Sequence, residues 1–214
     1  GIAPQAKLMV GKVLGDGGSG YWSWVIQGLV WSAGIDPDTG WPTGVKANVV
    51  SMSLGGSTGG GYGTSIVEQV CDEIALQGTL PVAAAGNDGP SGYTITIPGS
   101  SKNALAVGAT YQDLPGAPYP WKMVYFSSRG PTADLRTKPD ISAIGYGVNS
   151  TIPPNSYLFG SAWPPYYARI SGTSMSTPQV SGAAALLASG RPYGPQVDAL
   201  KAMLLTTWET QLQD

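Results

Sequence analysis

Short apolar runs and helix-period segments alternate along this chain, and that alternation limits its fold more than any single residue does. Residues 48–53, 80–85 and 104–109 read as short buried strands. Residues 64–76 separate the first two with a helical pattern, Thr64 as the expected N-cap and Glu68 and Glu73 on the polar side. Strand, helix and strand in that order form a βαβ unit, and successive units build a parallel sheet covered on both faces. Residues 7–14 read as a further strand, and residues 21–33 as a helix stopped by Gly34. Residues 35–46, with Asp36-Pro37-Asp38 and Gly40-Trp41-Pro42, read as a surface loop. Between 111 and 167 prolines and glycines divide the chain into short strands and turns, and helices around 174–189 and 195–207 close it. The expected fold is a three-layer α/β structure, a mainly parallel central sheet flanked by helices. No repeat or linker interrupts it, so residues 1–214 count as one domain.

Composition narrows the function. Charged residues are only 11% against 42% hydrophobic, the balance of a folded chain. The net charge is −2, and no Lys/Arg run offers a surface for nucleic acid or an anionic membrane. No apolar stretch has the ~20 residues of a membrane span. Cys71 is the one cysteine and sits in an apolar helical pattern, which reads as a small buried hydrophobe. The sequence starts at Gly1 without an initiator methionine or signal peptide, and the expectation is a processed product or a truncated piece.

The run Gly172-Thr173-Ser174-Met175-Ser176-Thr177-Pro178 carries the clearest chemistry. It places a serine where a tight turn enters a helix, beside unpaired N–H groups and the positive end of the helix dipole. That setting suits a nucleophilic hydroxyl, whose reaction passes through an oxyanion. Asn87 ends the apolar run 80–85 through Gly86 and could be a turn residue before Asp88-Gly89-Pro90, or an amide pointing into a cleft at the sheet's carboxyl edge. A third feature limits both readings. The chain contains no histidine, the usual base for such a serine.

The serine run and Val82-Ala83-Ala84-Ala85-Gly86-Asn87 resemble the subtilisin-like serine peptidases. Gly1-Ile2-Ala3-Pro4, Lys12-Val13-Leu14, Phe126-Ser127-Ser128-Arg129-Gly130-Pro131 and Lys138-Pro139-Asp140-Ile141 fall in the same order as similar words in that family. The resemblance covers nearly the whole chain and implies the C-terminal portion of a subtilisin-like catalytic domain, a serine endopeptidase. It assigns Ser174 as nucleophile, forming an acyl-enzyme, and Asn87 as oxyanion donor. Ser53, Leu54, Gly55 and Gly56 match the substrate-binding strand, and Gly18, Ser19 and Gly20 the opposite edge. Ala84, Ala85 and Gly86 would form another wall, with Thr94 to Pro98 near the floor. These small uncharged walls suit an apolar or aromatic P1 side chain, and Asp88 at the rim could tolerate a basic one. In the family the catalytic aspartate and histidine precede the Gly-Ile-Ala-Pro word, so both would lie upstream of Gly1. The isolated chain is then expected to be inactive, with an upstream fragment of the same domain as a possible partner. The other expectation is a degenerate or truncated peptidase that only binds peptides.

The family departs from this chain at Gln179, where many relatives carry a non-catalytic histidine. Residues 145–170 are rich in Pro, Tyr and Trp and weakly resemble the pyrolysin-like branch. Relatives often bind calcium, which is possible in the complete enzyme, but Asp113, Asp134 and Asp140 show no ligand spacing. No cofactor is expected in this chain, and a secreted or extracytoplasmic location follows from the resemblance alone. Two rival chemistries remain. Gly15-Asp16-Gly17-Gly18-Ser19-Gly20 spells G-x-G-x-x-G with Asp36 and Asp38 about 20 residues on, a formal dinucleotide fingerprint. A serine–lysine dyad, or the carboxylate system of sedolisin-like peptidases, would need no histidine.

Overall fold

A computed structural model describes residues 1–56, 61–113, 121–153, 166–189, 196–206 and 212–213. Its elements are α1 (Trp22–Ser32), β1 (Val49–Met52), α2 (Ile66–Leu76), β2 (Leu80–Ala84), β3 (Leu105–Gln112), β4 (Trp121–Met123), β5 (Ile141–Ile144), β6 (Val148–Thr151), β7 (Tyr167–Ile170), α3 (Thr173–Ser189), α4 (Val197–Thr206) and β8 (Leu212–Gln213). β1, β2, β3 and β5 are parallel neighbours in that order. β4 pairs antiparallel with the carboxyl end of β3 and carries β8, while β6 and β7 form a separate antiparallel pair. Residues 114–120 and 154–165, and the ends of the last expected helix at 195 and 207, lie outside the described residues.

Side-chain alternation makes the layers. Leu80, Val82, Leu105 and Val107 point to one face, where they meet Val180, Ala184 and Ala188 of α3 and Leu200 and Leu204 of α4. Ala83 and Met52 point to the other face, against Val25 and Leu29 of α1 and Val67, Cys71 and Ile74 of α2. The result is the expected α/β sandwich with helices on both sides. Cys71 is fully buried, and burial pushes its thiol up to about 12, so it packs and does not react.

Two local expectations are corrected. Residues 7–14 do not form a strand: no backbone hydrogen bond joins them to another described segment. They run extended along α1, with Gly11 against Trp31 and Val13 against Gly28. A strand exists only through its neighbour, and β1, across a groove, does not pair with them. The second correction concerns α2. Its N-cap is Ser65, not Thr64, because Ser65 Oγ accepts from the Glu68 N–H while the Glu68 carboxylate accepts from the Ser65 N–H. That capping box draws Glu68 inward, to 1% exposure, where Gly63 N–H and Ser100 Oγ also donate to it.

Burial acts to raise the Glu68 pKa, but the hydrogen bonds from Ser100, Ser65 and Gly63 outweigh it and hold the carboxyl below its ordinary value. A depressed folded pKa stabilises above the unfolded value, and that contribution disappears as pH falls through the folded one. Glu68→Ala should cost about 1–3 kcal/mol for each buried donor left unpaired, and Glu68→Gln less. Urea unfolding at pH 7 and in acid checks the sign: wild type and Glu68→Gln should converge on acidification, and a gap independent of pH would contradict it.

Candidate active site

The first turn of α3 lies over the carboxyl ends of the parallel strands, and side-chain bonds hold it there. Ser176 Oγ donates to the Ala143 carbonyl, Gln179 Nε2 to those of Ile144 and Met175, and Ser181 Oγ to Ser51 Oγ. Gln179 is thus a tie between α3 and the end of β5. Pro178 sits inside the helix and has no N–H, so the carbonyl of Ser174 four residues before it loses its helical donor. Ser53 Oγ, just past β1, supplies that bond at 2.8 Å, and Ser174 Oγ donates back to the Ser53 carbonyl at 3.2 Å. The proline that would weaken a helix here frees a carbonyl to be fastened to the end of a strand.

Asn87 follows β2 and is fixed by its oxygen. Asn87 Oδ1 accepts from Thr173 N–H at 2.9 Å and from Thr173 Oγ1 at 3.0 Å. Thr173 is fully buried, and its Oγ1 in turn accepts from Gly86 N–H at 3.3 Å. With Oδ1 held from inside the fold, Nδ2 is the end of the amide left for a ligand. A Cβ built on Gly172 would stand 3.7 Å from both Asn87 Nδ2 and Ser174 N, so the two donors flank one spot. Ser174 N–H, in the first turn of α3, has no helical acceptor.

These groups open into a cavity of about 560 Å³. Gly18, Ser19, Gly20, Ser53, Leu54, Gly55, Gly56, Ala84, Gly86, Asn87 and Ser174 all line it, so nearly every residue singled out in the sequence reaches one cleft. Asp88 and Thr96 line it too. Ala85 is the exception: it is fully buried behind the wall, its N–H donating to Val107 and its carbonyl accepting from Thr96. Gly56 exchanges backbone bonds with Ile97, so the chain edge open to a partner is Ser53 to Gly55. Gly55 must lack a side chain, because a Cβ there would lie 2.7 Å from Thr96 Oγ1. Leu14, Trp22, Val25 and Thr173 complete the lining and were not singled out in the sequence for this role.

The rival chemistries lose their geometry. The dinucleotide fingerprint closes on itself, Gly15 N–H donating to Ser19 and Gly18 N–H to Gly15. Asp36 Oδ1 accepts from the N–H groups of Asp38 and Thr39 in its loop, which lowers its pKa, and presents no ribose contact at a strand end. Among the described residues no Lys, Asp or Glu hydrogen-bonds Ser174, and Lys138 is buried on Asp140 and the Ala104 carbonyl. Asp113, Asp134 and Asp140 face Lys122, Arg136 and Lys138 in separate ion pairs, so they do not form a calcium ligand set.

The chain as a whole is matched by comparison with known proteins. The chain belongs to the subtilase family, Peptidase S8, whose profile matches residues 1–214. It is similar to subtilisin E of Bacillus subtilis (strain 168), 36% identical over 194 residues, which cover 90% of this chain and 41% of that protein. It is also similar to pyrolysin of Pyrococcus furiosus, 35% identical over 236 residues, covering 97% of this chain and 16% of that one. Among solved structures, sphericase superposes with a TM-score of 0.71 at 33% identity, covering 91% of this chain and 58% of its own. The chain therefore spans about two fifths of subtilisin E and under three fifths of sphericase.

Gly86 carries Asn87 into place with φ +112, a backbone conformation restricted in practice to glycine. A Cβ there would stand 2.6 Å from Ser128 Oγ and 2.7 Å from a Thr96 carbon. Gly86→Ala should destabilise the chain by about 1–3 kcal/mol through backbone strain, with further loss from the clash. Denaturant unfolding of the variant measures this, and an unchanged midpoint would mean that the turn relaxes freely.

Proposed function

We propose that the chain is the nucleophile-bearing portion of a serine endopeptidase that hydrolyses peptide bonds through an acyl-enzyme on Ser174. The observation that carries this reading is that one point, a Cβ built on Gly172, stands 3.7 Å from both Asn87 Nδ2 and Ser174 N, with Asn87 Oδ1 held by Thr173. Ser174 Oγ would attack the scissile carbonyl, and the oxygen that gains charge would take hydrogen bonds from those two donors. Ser53 to Gly55 and Gly18 to Gly20 would hold an extended peptide between them. The P1 side chain would enter between Ser53–Gly55 and Ala84–Gly86, with Thr96 below and Asp88 at the rim.

Proton transfer requires a base within about 3 Å of Ser174 Oγ, and this chain has no histidine. In this reading a histidine and its aspartate come from a segment upstream of Gly1, and Gly1–Asp214 alone is inactive. Any calcium sites of the complete enzyme would belong chiefly to that segment, and an extracytoplasmic location goes with the family resemblance. No described helix is long and apolar enough to cross a membrane. A peptide-binding module without catalysis is the competing reading, favoured by the missing base.

Labelling of Ser174 by a peptidyl organophosphonate separates the two. Gly1–Asp214 alone should react negligibly, and chain co-folded with its upstream segment should react fast and hydrolyse peptides. Ser174→Ala should abolish both. Asn87→Leu should lower kcat ~10²–10³-fold with little change in KM, because its bond forms as the oxyanion develops. That range is the one known for a subtilisin's oxyanion asparagine and is carried over here. Fast labelling of the isolated chain would show that the base lies within it, and no labelling of the co-folded pair would leave the peptide-binding reading.

A further inference from the structure

The entry of α3 spans the carboxyl end of the sheet and is tied down on both sides of that span. On the near side its ties reach the residues that follow β1 and β2, Ser53 and Asn87. On the far side they reach three successive carbonyls where β5 ends. The Ala143 carbonyl accepts from Ser176 Oγ at 3.0 Å, and the Ile144 carbonyl from Gln179 Nε2 at 2.6 Å. The Gly145 carbonyl accepts from Gly172 N–H at 2.8 Å. Gly145 is itself fixed, because its N–H donates to the Thr110 carbonyl of β3 and a Cβ there would run into Ala109 and Ser176.

Gln179 differs from the other two donors. Ser176 and Gly172 are close to Ser174 in sequence, and each makes a single bond to the end of β5. Gln179 lies one turn further along α3, half-buried, and its amide nitrogen uses both hydrogens. One goes to Ile144, and the other to the Met175 carbonyl at 2.9 Å. A single side chain therefore joins the strand end to the helical turn that holds Ser174. Met175 N–H donates in turn to Gly172 at 3.0 Å. The bridged turn thus closes on the residue whose Cβ position lies 3.7 Å from Asn87 Nδ2 and Ser174 N.

We infer that Gln179 is a positioning residue: by bridging the Ile144 and Met175 carbonyls it sets Ser174 N–H at its working distance from Asn87 Nδ2. The inference rests on the reading given under Proposed function. The two donors belong to different elements, Asn87 after β2 and Ser174 in α3, so their spacing depends on how the first turn of α3 is seated on the sheet. The ties to Ser53 and Asn87 hold one side of that turn, and the bridge to β5 stops it from rocking about them. A displacement of about 1 Å at reacting groups can lower a rate ~100-fold. With the Ser176 and Gly172 bonds still in place the loss is smaller, about 10-fold. A peptide backbone held at Ser53–Gly55 and Gly18–Gly20 does not touch Gln179, so the loss falls on kcat and spares KM.

Gln179→Met keeps the length of the side chain and its fit to a helix but removes both donors. Gln179→Lys supplies donors again through its ammonium. Steady-state kinetics on the chain co-folded with its upstream segment, expressed per serine titrated by the organophosphonate, leave misfolded chains uncounted. Gln179→Met should lower kcat about 10-fold or more with KM changed less than about twofold. Binding of a peptide boronic acid should weaken by the same factor, because the boronate carries the tetrahedral oxygen. Gln179→Lys should recover most of both losses. Cys71→Ala, a core change away from the site, should lower the unfolding midpoint and leave kcat per serine unchanged. Wild-type kcat per serine in Gln179→Met, with only a lower midpoint, would make the residue structural and overturn the inference. A rise in KM at constant kcat would overturn it as well, as would Gln179→Lys no faster than Gln179→Met, or an equal loss of kcat in Cys71→Ala. An inactive wild-type pair with Ser174 unlabelled would overturn the catalytic reading, and this inference with it.

Discussion

A proline without an N–H governs the geometry of this molecule. Pro178 removes one bond from the first turns of α3, and the freed Ser174 carbonyl is taken by Ser53 at the end of β1. The neighbouring tie, from Thr173 to Asn87, fastens the same turn to the end of β2. Ser174, Asn87 and the chain edge at Ser53 are therefore cross-linked through a few hydrogen bonds at one corner of the sheet. Each bond lies at the edge of a packed, two-faced sheet, so its partners have little freedom to drift.

The α/β layering supplies the rigidity that those bonds need. α3 crosses β1, β2, β3 and β5, and its small residues let the helix lie close to the strands. On the other face α1 and α2 pack over Ala83 and Met52. The charged groups inside this frame are tied down rather than free. Lys138 is buried between Asp140 and the Ala104 carbonyl, and burial lowers its pKa although Asp140 acts the other way. Asp140 also accepts from Ala106 N–H, which pins the start of β5 to β3. Asp134 is held at about 2 by hydrogen bonds from Arg136 and Thr132, inside a turn and away from the cleft.

Much of this was legible in the sequence, for physical reasons that differ by region. β2 and β3 carry apolar residues at every position because the sheet is covered on both faces, and such runs are read without structural help. The placement of Ser174 at a helix entry and of Asn87 at a strand end was legible because these are local features with distinctive residues. The burial of Glu68 was not, since a capping box reads as surface chemistry until Ser100, 32 positions away, is seen to close over it. Residues 7–14 have a strand's pattern but no pairing partner among the described residues, which a pattern cannot supply. Trp22, Val25 and Leu14 join the cleft only because α1 and the segment before it fold over the end of β1. The role of Pro178 was hidden for the same reason. Its effect falls on the Ser174 carbonyl four residues back, and through it on Ser53, 121 positions before Ser174.

The central claim is that Ser174 attacks and that Asn87 Nδ2, held through Thr173, receives the oxygen on which charge develops. The most direct test is a crystal structure of the chain, co-folded with its upstream segment and soaked with a peptide boronic acid, which mimics the tetrahedral intermediate. The account predicts a covalent bond from boron to Ser174 Oγ, with one boronate oxygen about 3 Å from both Asn87 Nδ2 and Ser174 N. A boronate bonded to another residue, or one on Ser174 whose oxygens avoid Asn87, would contradict it.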